Sequence, residues 1–216
     1  MPRAALLARL LDARPPRRPC VSIHHPARVL ALVCDHAREG LHEPYKREVI
    51  GILLGRVSRD GRTVRCVRAV PYRTWLRWRT AIDPHPDALL RRSRALARES
   101  GLRYLGCYHS HPEEAGKRSW GLSEEDRDFL RDDPDARIEV VVSVADAGRR
   151  AASRAEVPAS RARPVRNRDG SLTLYADGHH FRLGAEVKAD VKRDVTPRTP
   201  PPSREPRRAP RGPSPR

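Results

Sequence analysis

Several residue types are scarce in this chain, and each shortage narrows what it can be. Aromatic residues make up 5% of the 216 positions, with two phenylalanines, three tryptophans and five tyrosines. The length still suffices for one domain with a real core plus extensions. Lysine occurs only at Lys46, Lys117, Lys188 and Lys192, so almost all of the positive charge is arginine. A net charge of +17 would ordinarily point to nucleic acid. Here the arginines are dispersed, no platform interleaves them with aromatics, and heavy Arg, Ala and Pro use with little Lys reads as GC-rich coding bias. A nucleic-acid partner is therefore not expected. The four cysteines, Cys20, Cys34, Cys66 and Cys107, form no Cys-x-x-Cys pair and sit in or beside apolar segments. They read as small core residues in a reducing compartment. Long apolar runs are missing too. Ala4-Ala5-Leu6-Leu7-Ala8 is cut by Arg9, which makes it too short for a membrane span and poor as a signal peptide. The expectation is a cytoplasmic protein with no membrane partner.

Apolar residues almost vanish after about Val195, where Pro, Arg and Ser take over. Such a segment cannot bury enough surface to offset the entropy of ordering it. The expected organisation is an N-terminal extension at residues 1–19, a folded domain at 20–186 and a disordered Pro/Arg-rich tail at 187–216. No internal repeat is visible.

Within the domain, residues 21–23 read as a short strand and residues 26–42 as a helix with Val29, Leu30, Val33, Ala37 and Leu41 on its apolar face. His24, His25, His36 and His42 share no motif, so surface or capping roles are expected. Residues 49–55 form an apolar strand, followed by a turn at Asp60-Gly61. Next comes a strand in which Val64, Cys66 and Arg68 alternate with Arg65, Val67 and Ala69. Residues 72–82 alternate arginines with Thr and Trp on a further strand, and residues 86–100 make a second amphipathic helix stopped by Gly101. Residues 138–144 are nearly all apolar, as suits a central strand, with residues 151–157 as its possible partner. Leu172 to Ala176 and His179 to Leu183, joined by Asp177-Gly178, read as a hairpin. His179 and His180 show no pattern that would make them ligands.

The chemistry gathers at Gly106-Cys107-Tyr108-His109-Ser110-His111-Pro112 and at Leu122-Ser123-Glu124-Glu125-Asp126. The first stretch reads as a buried strand stopped by Pro112, which has no N–H to donate. Residues two apart share a face, so His109 and His111 project together and Ser110 turns away. Ser123 reads as a helix N-cap with Asp126 at the third helical position. Two imidazoles and one carboxylate are the three protein ligands that a catalytic zinc keeps beside its open position. Glu125 and Asp128 are the alternatives for the third ligand. A general base is still needed, and Glu48 at the head of the strand Val49-Ile50-Gly51-Ile52-Leu53-Leu54-Gly55 is the candidate. A glutamate in that position is ordinarily just a solvated residue at a strand end.

Taken in order, Glu-x-x-Gly-x-Leu-x-Gly, a helix, Gly-x-Tyr-His-Ser-His-Pro and Ser-x-x-Asp resemble the JAMM metallopeptidases of the MPN domain family, prokaryotic JAB type. The resemblance spans about residues 21–144. It implies an α/β fold, with a curved mixed sheet of the MPN-like, cytidine-deaminase-like kind flanked by helices. It implies zinc bound by His109, His111 and Asp126, with Glu48 polarising the water and Ser123 steadying the oxyanion. It also implies hydrolysis of a peptide or isopeptide bond, at the C-terminal tail of a ubiquitin-like or sulfur-carrier protein. Some members of the family have lost the metal and serve as interaction scaffolds, which is the alternative, along with an Arg-rich nucleic-acid-associated protein. One departure stands out. The family spacing is His-x-His-x7-Ser-x-x-Asp, whereas Ser123 lies four residues further on. Ser119 holds the usual place, but Leu122 three residues later cannot bind metal, so residues 113–122 read as a lengthened loop that is able to cover a substrate groove.

Overall fold

The computed structural model describes residues 22–73, 86–113, 121–148 and 155–188. The expected strand over residues 72–82, most of the lengthened loop, and both terminal extensions lie largely outside them. Among the described residues, eight strands form one mixed sheet with three helices. They run β1 (Ser22–His24), α1 (Ala27–His42), β2 (Ile50–Val57), β3 (Thr63–Tyr72), α2 (Pro86–Ser100), β4 (Arg103–Pro112), α3 (Glu124–Asp132), β5 (Ile138–Asp146), β6 (Val165–Arg166), β7 (Leu172–Ala176) and β8 (His179–Val187). The spatial order is β1-β3-β2-β4-β5-β8-β7-β6. β1 with β3 and β4 with β5 are parallel pairs, and all other neighbours are antiparallel.

Two apolar layers sandwich the sheet. On one face Val29, Leu30, Val33, Cys34, Ala37 and Leu41 of α1 pack on Leu53, Leu105, Tyr108, Ile138, Val140, Val142 and Phe181. On the other, Leu89 and Leu96 of α2 and Leu130 of α3 pack on Ile50, Ile52, Leu54, Tyr104 and Cys107. β4 and β5 are central and nearly wholly buried, which is why β5 reads as a nearly continuous apolar run. Cys34, Cys66 and Cys107 are buried and unbridged. No helix of the described residues is long and apolar enough to cross a membrane.

Four expectations need correction. His36 is not a surface residue: it is buried, and its Nδ1 lies 2.9 Å from the Tyr108 hydroxyl. That contact depends on Gly51, because a Cβ there would sit 2.2 Å from the Tyr108 ring. In β3 the alternation breaks at Val67, an extra residue between Cys66 and Arg68, so Ala69 is buried and Arg68 exposed. β5 is flanked by β4 and β8, so it has no partner in residues 155–157, where no strand forms. His42 and His179 lie against each other, although nothing in their sequence surroundings connects them.

Candidate metal centre

The site is set by an irregularity in β4. Leu53 pairs with Gly106 and Leu54 with Tyr104, leaving Leu105 as an extra residue. The bulge changes the phase of the strand. Without it, the alternation from Tyr104 would place Gly106 and Tyr108 on the α2/α3 face, and Cys107, His109 and His111 on the α1 face. With it, Cys107 joins the α2/α3 layer and Tyr108 the α1 layer, so His109 and His111 face α3. Gly106 has φ 134°, and a Cβ there would lie 1.8 Å from the Ile138 carbonyl oxygen. Only glycine fits that close approach.

α3 brings the carboxylate. Its N-cap is Ser123, whose Oγ accepts from the Asp126 N–H at 3.1 Å, while the Asp126 Oδ2 accepts from the Ser123 N–H at 2.7 Å. This reciprocal capping box fixes the Asp126 rotamer. The other end of α3 is tied to β4, because the Tyr104 hydroxyl donates to Asp133 Oδ2 at 2.8 Å. Asp126 Oδ2 thereby comes within 3.4 Å of His109 Nε2 and 3.9 Å of His111 Nε2, and the two Nε2 atoms are 3.1 Å apart. These three residues form a group that could hold a metal ion. Asp128 instead pairs with Arg131, and Glu125 is exposed.

Glu48 lies on the same face. The Val49 N–H donates to Ser110 Oγ at 3.0 Å, and the Ser110 N–H donates to the Val49 carbonyl at 2.9 Å. Ser110, turned away from the site, thus locks the backbone just before β2. Ile50 pairs with His109, so extending the register by two residues sets Glu48 across from His111. Glu48 is 8% exposed. Burial raises its pKa to about 7, with His109 opposing and Asp126 adding to the rise.

One residue of the site escaped the sequence reading. Glu139, 3% exposed, stands in the apolar run of β5 beside Cys107, and its Oε1 lies 3.0 Å from His109 Nδ1. A carboxylate there accepts a hydrogen bond from Nδ1–H, so that in the neutral ring Nε2 carries the lone pair toward His111 and Asp126. The only sequence signal was one acid amid valines. Burial opposes a charge on His109, but the Asp126 and Glu139 carboxylates outweigh it and push its pKa up to about 10. Burial also opposes the charge on Asp126, yet His109 and the Ser123 hydrogen bonds hold it well below the usual carboxylate range. Both shifts run in the direction that favours a protonated His109 beside an ionised Asp126.

The donor set fits a borderline divalent ion: two imidazole nitrogens and one carboxylate oxygen, with an outer carboxylate orienting one ring. The profile of prokaryotic homologues of the JAB domain matches residues 26–153, more than half of the chain. The chain belongs to this family. The match covers β2, β4, α3 and β5, and so every residue of the centre, while β6 to β8 lie beyond it. The mixed sheet with helices on both faces is the MPN-like fold. Among solved structures, the solution structure of protein DSY2949 from Desulfitobacterium hafniense is similar at 19% identity, with a TM-score of 0.43, over 77% of this chain and 90% of that one. A comparison with curated protein sequences gives no match.

Proposed function

We propose that this JAB-domain protein is a zinc-dependent hydrolase of peptide or isopeptide bonds, acting at the C-terminal tail of a ubiquitin-like or sulfur-carrier protein. The observation that carries the reading is the convergence of His109 Nε2, His111 Nε2 and Asp126 Oδ2 on one point, with a buried Glu48 on the same face. Family membership supports it, since the JAB family includes zinc isopeptidases.

His109, His111 and Asp126 would hold the ion. Zinc in such a site supplies Lewis-acid polarisation of a carbonyl and makes water acidic enough to react near neutral pH. Glu48, with a pKa of about 7, is poised to accept a proton from the attacking water and to return it to the leaving amine. The Ser123 Oγ accepts from the Asp126 N–H, which leaves its own proton available for the oxygen that gains charge at the scissile carbonyl. Donors of this kind are worth about 3–4 kcal/mol. A Gly-Gly tail suits the site, because a thin extended chain can approach where side chains would be excluded.

The test uses tag-free protein. Elemental analysis should find zinc at the centre, and the zinc-loaded protein should cleave a Gly-Gly-tailed ubiquitin-like fusion. Glu48→Gln should keep the zinc and lose turnover, because the amide cannot carry a proton. Zinc binding without cleavage of any such substrate would favour the scaffold alternative. Absence of zinc binding at His109, His111 and Asp126 would sink the enzyme reading.

A further inference from the structure

On the opposite face of the sheet a second pair of histidines brings two ring nitrogens together. His42, the last residue of α1, and His179, the first of β8, bring their Nε2 atoms to 2.9 Å, with ring planes at 83°. The corresponding distance at the candidate centre is 3.1 Å. The His179 Nδ1 donates to the Asp177 carbonyl, so the neutral ring has its lone pair on Nε2, pointing at His42. Metal-binding histidines almost always have such a backbone or carboxylate partner on the other nitrogen. Asp146, paired in register with His179, puts Oδ1 3.6 Å from the same Nε2. The rings border an open cleft of about 700 Å³ lined also by Arg38, Glu39, Glu43, Pro44 and Asp177. Asp177 is otherwise engaged: its Oδ2 accepts from the Ala159 N–H at 3.0 Å and lies 3.7 Å from Arg38.

We propose that His42 and His179, with the exposed Asp146 carboxylate turning in as a third donor, form a second binding site for a borderline divalent transition metal, separate from the centre at His109. Tetrahedral zinc with Zn–N bonds of about 2.0–2.1 Å holds two nitrogens roughly 3.3 Å apart, so a small spreading of the two rings would seat one ion between them. Imidazole with one carboxylate suits zinc and cobalt and not calcium or magnesium. The ion would add a tie between the end of α1, the start of β8 and the end of β5 to the His–His hydrogen bond, the Arg38–Asp177 ion pair and the apolar packing already there. The site is independent of the hydrolase reading, because it shares no residue with that centre.

The experiment uses full-length, tag-free protein with zinc, and with cobalt as an optical probe. Equilibrium dialysis of wild type should give two ions per chain. His109→Gln/His111→Gln should give one, and adding His42→Gln should remove it. His42 is exposed at a helix end, so its replacement should fold, and melting of the metal-free variants checks this. In the His109/His111 background, zinc should raise the melting temperature, and His42→Gln should abolish that rise. The affinity lost with His42 should exceed the ~10–100-fold typical of an outer partner. Asp146→Asn should weaken the site, while His180→Gln, stacked on Tyr175 on the other face, should leave it unchanged. If the His109→Gln/His111→Gln protein binds no zinc, or binds it equally well with and without His42, the pair is a hydrogen bond only and the proposal fails.

Discussion

Replacing Glu139 is the sharpest test of the centre, because the residue meets the centre at the back of His109. In Glu139→Gln the amide oxygen can still accept the Nδ1 proton at the 3.0 Å distance, so the ring keeps its orientation and loses only the charge behind it. Outer carboxylates of this kind are worth ~10–100-fold in metal affinity, or about 1.4–2.7 kcal/mol. The metal-free fold should respond far less. A hydrogen bond between charged partners contributes about 1.5–3 kcal/mol, but the carboxylate is 3% exposed, and burying it costs several kcal/mol in return. These terms nearly cancel, so urea unfolding of the metal-free protein should move by less than about 1.5 kcal/mol. Glu139→Leu goes further: it leaves the Nδ1–H buried without an acceptor, at about 1–3 kcal/mol, and the ring can turn. Zinc affinity is read by competition with a chromophoric chelator. The expected order is wild type, then Gln, then Leu. If Glu139→Gln keeps its zinc affinity within twofold while folding stability falls, Glu139 is a packing residue and does not prepare His109 for metal.

Three further outcomes follow from the same geometry. His109 has a folded-state pKa above its ordinary 6.5, so its stabilising contribution is full below that pH and fades as pH rises toward about 10; Glu48, raised from 4.5 to about 7, adds a cost over its own range. Metal-free protein should therefore melt lower at pH 9 than at pH 6, less so in His109→Gln, and zinc-saturated protein should show a smaller fall or a reversal; an equal fall in His109→Gln would remove His109 as the cause. Asp126→Ala should lose zinc and also the capping box, at about 1 kcal/mol of stability, whereas Asp128→Ala should keep both; zinc analysis and melting decide which acid is the ligand. Gly106→Ala should cost at least about 1–3 kcal/mol and lower zinc affinity as well, because the clash is with backbone; wild-type zinc binding in a folded Gly106→Ala protein would show that the bulge does not set the site.

What the sequence made legible was local. The two-residue spacing of His109 and His111 and the three-residue spacing of Ser123 and Asp126 are read through a strand period and a helix cap, both properties of a few adjacent residues. The helices at Ala27–His42 and Pro86–Ser100 and the Asp177-Gly178 hairpin were legible for the same reason. What escaped was pairwise and distant. Glu139 meets His109 across 30 residues, Tyr108 meets His36 across 72, and His179 meets His42 across 137. In each case neither residue is unusual alone. A glutamate among valines, a tyrosine beside a histidine motif and a histidine at a helix end acquire meaning only when the topology lays β4 against β5 and α1 against the start of β8.

The histidine spacing itself was only half of the information. It says that His109 and His111 share a face, but not which one. Counting back along β4 from His109 by twos reaches Leu105, which packs under α1, so an unbroken strand would send both imidazoles to the face away from α3. The Ser123 cap would then place Asp126 correctly on its helix, with the sheet between it and its partners. One extra residue at Leu105 reverses this, and it is tolerated only because Gly106 can press its backbone to the Ile138 carbonyl. The glycine ahead of the histidines is therefore part of the site, although it offers no donor. The same logic assigns Ser110 its place: facing away from the candidate centre, it holds Val49 by two hydrogen bonds and so fixes the backbone that carries Glu48. In Gly-x-x-His-Ser-His the glycine and the serine decide where the candidate ligands and Glu48 stand.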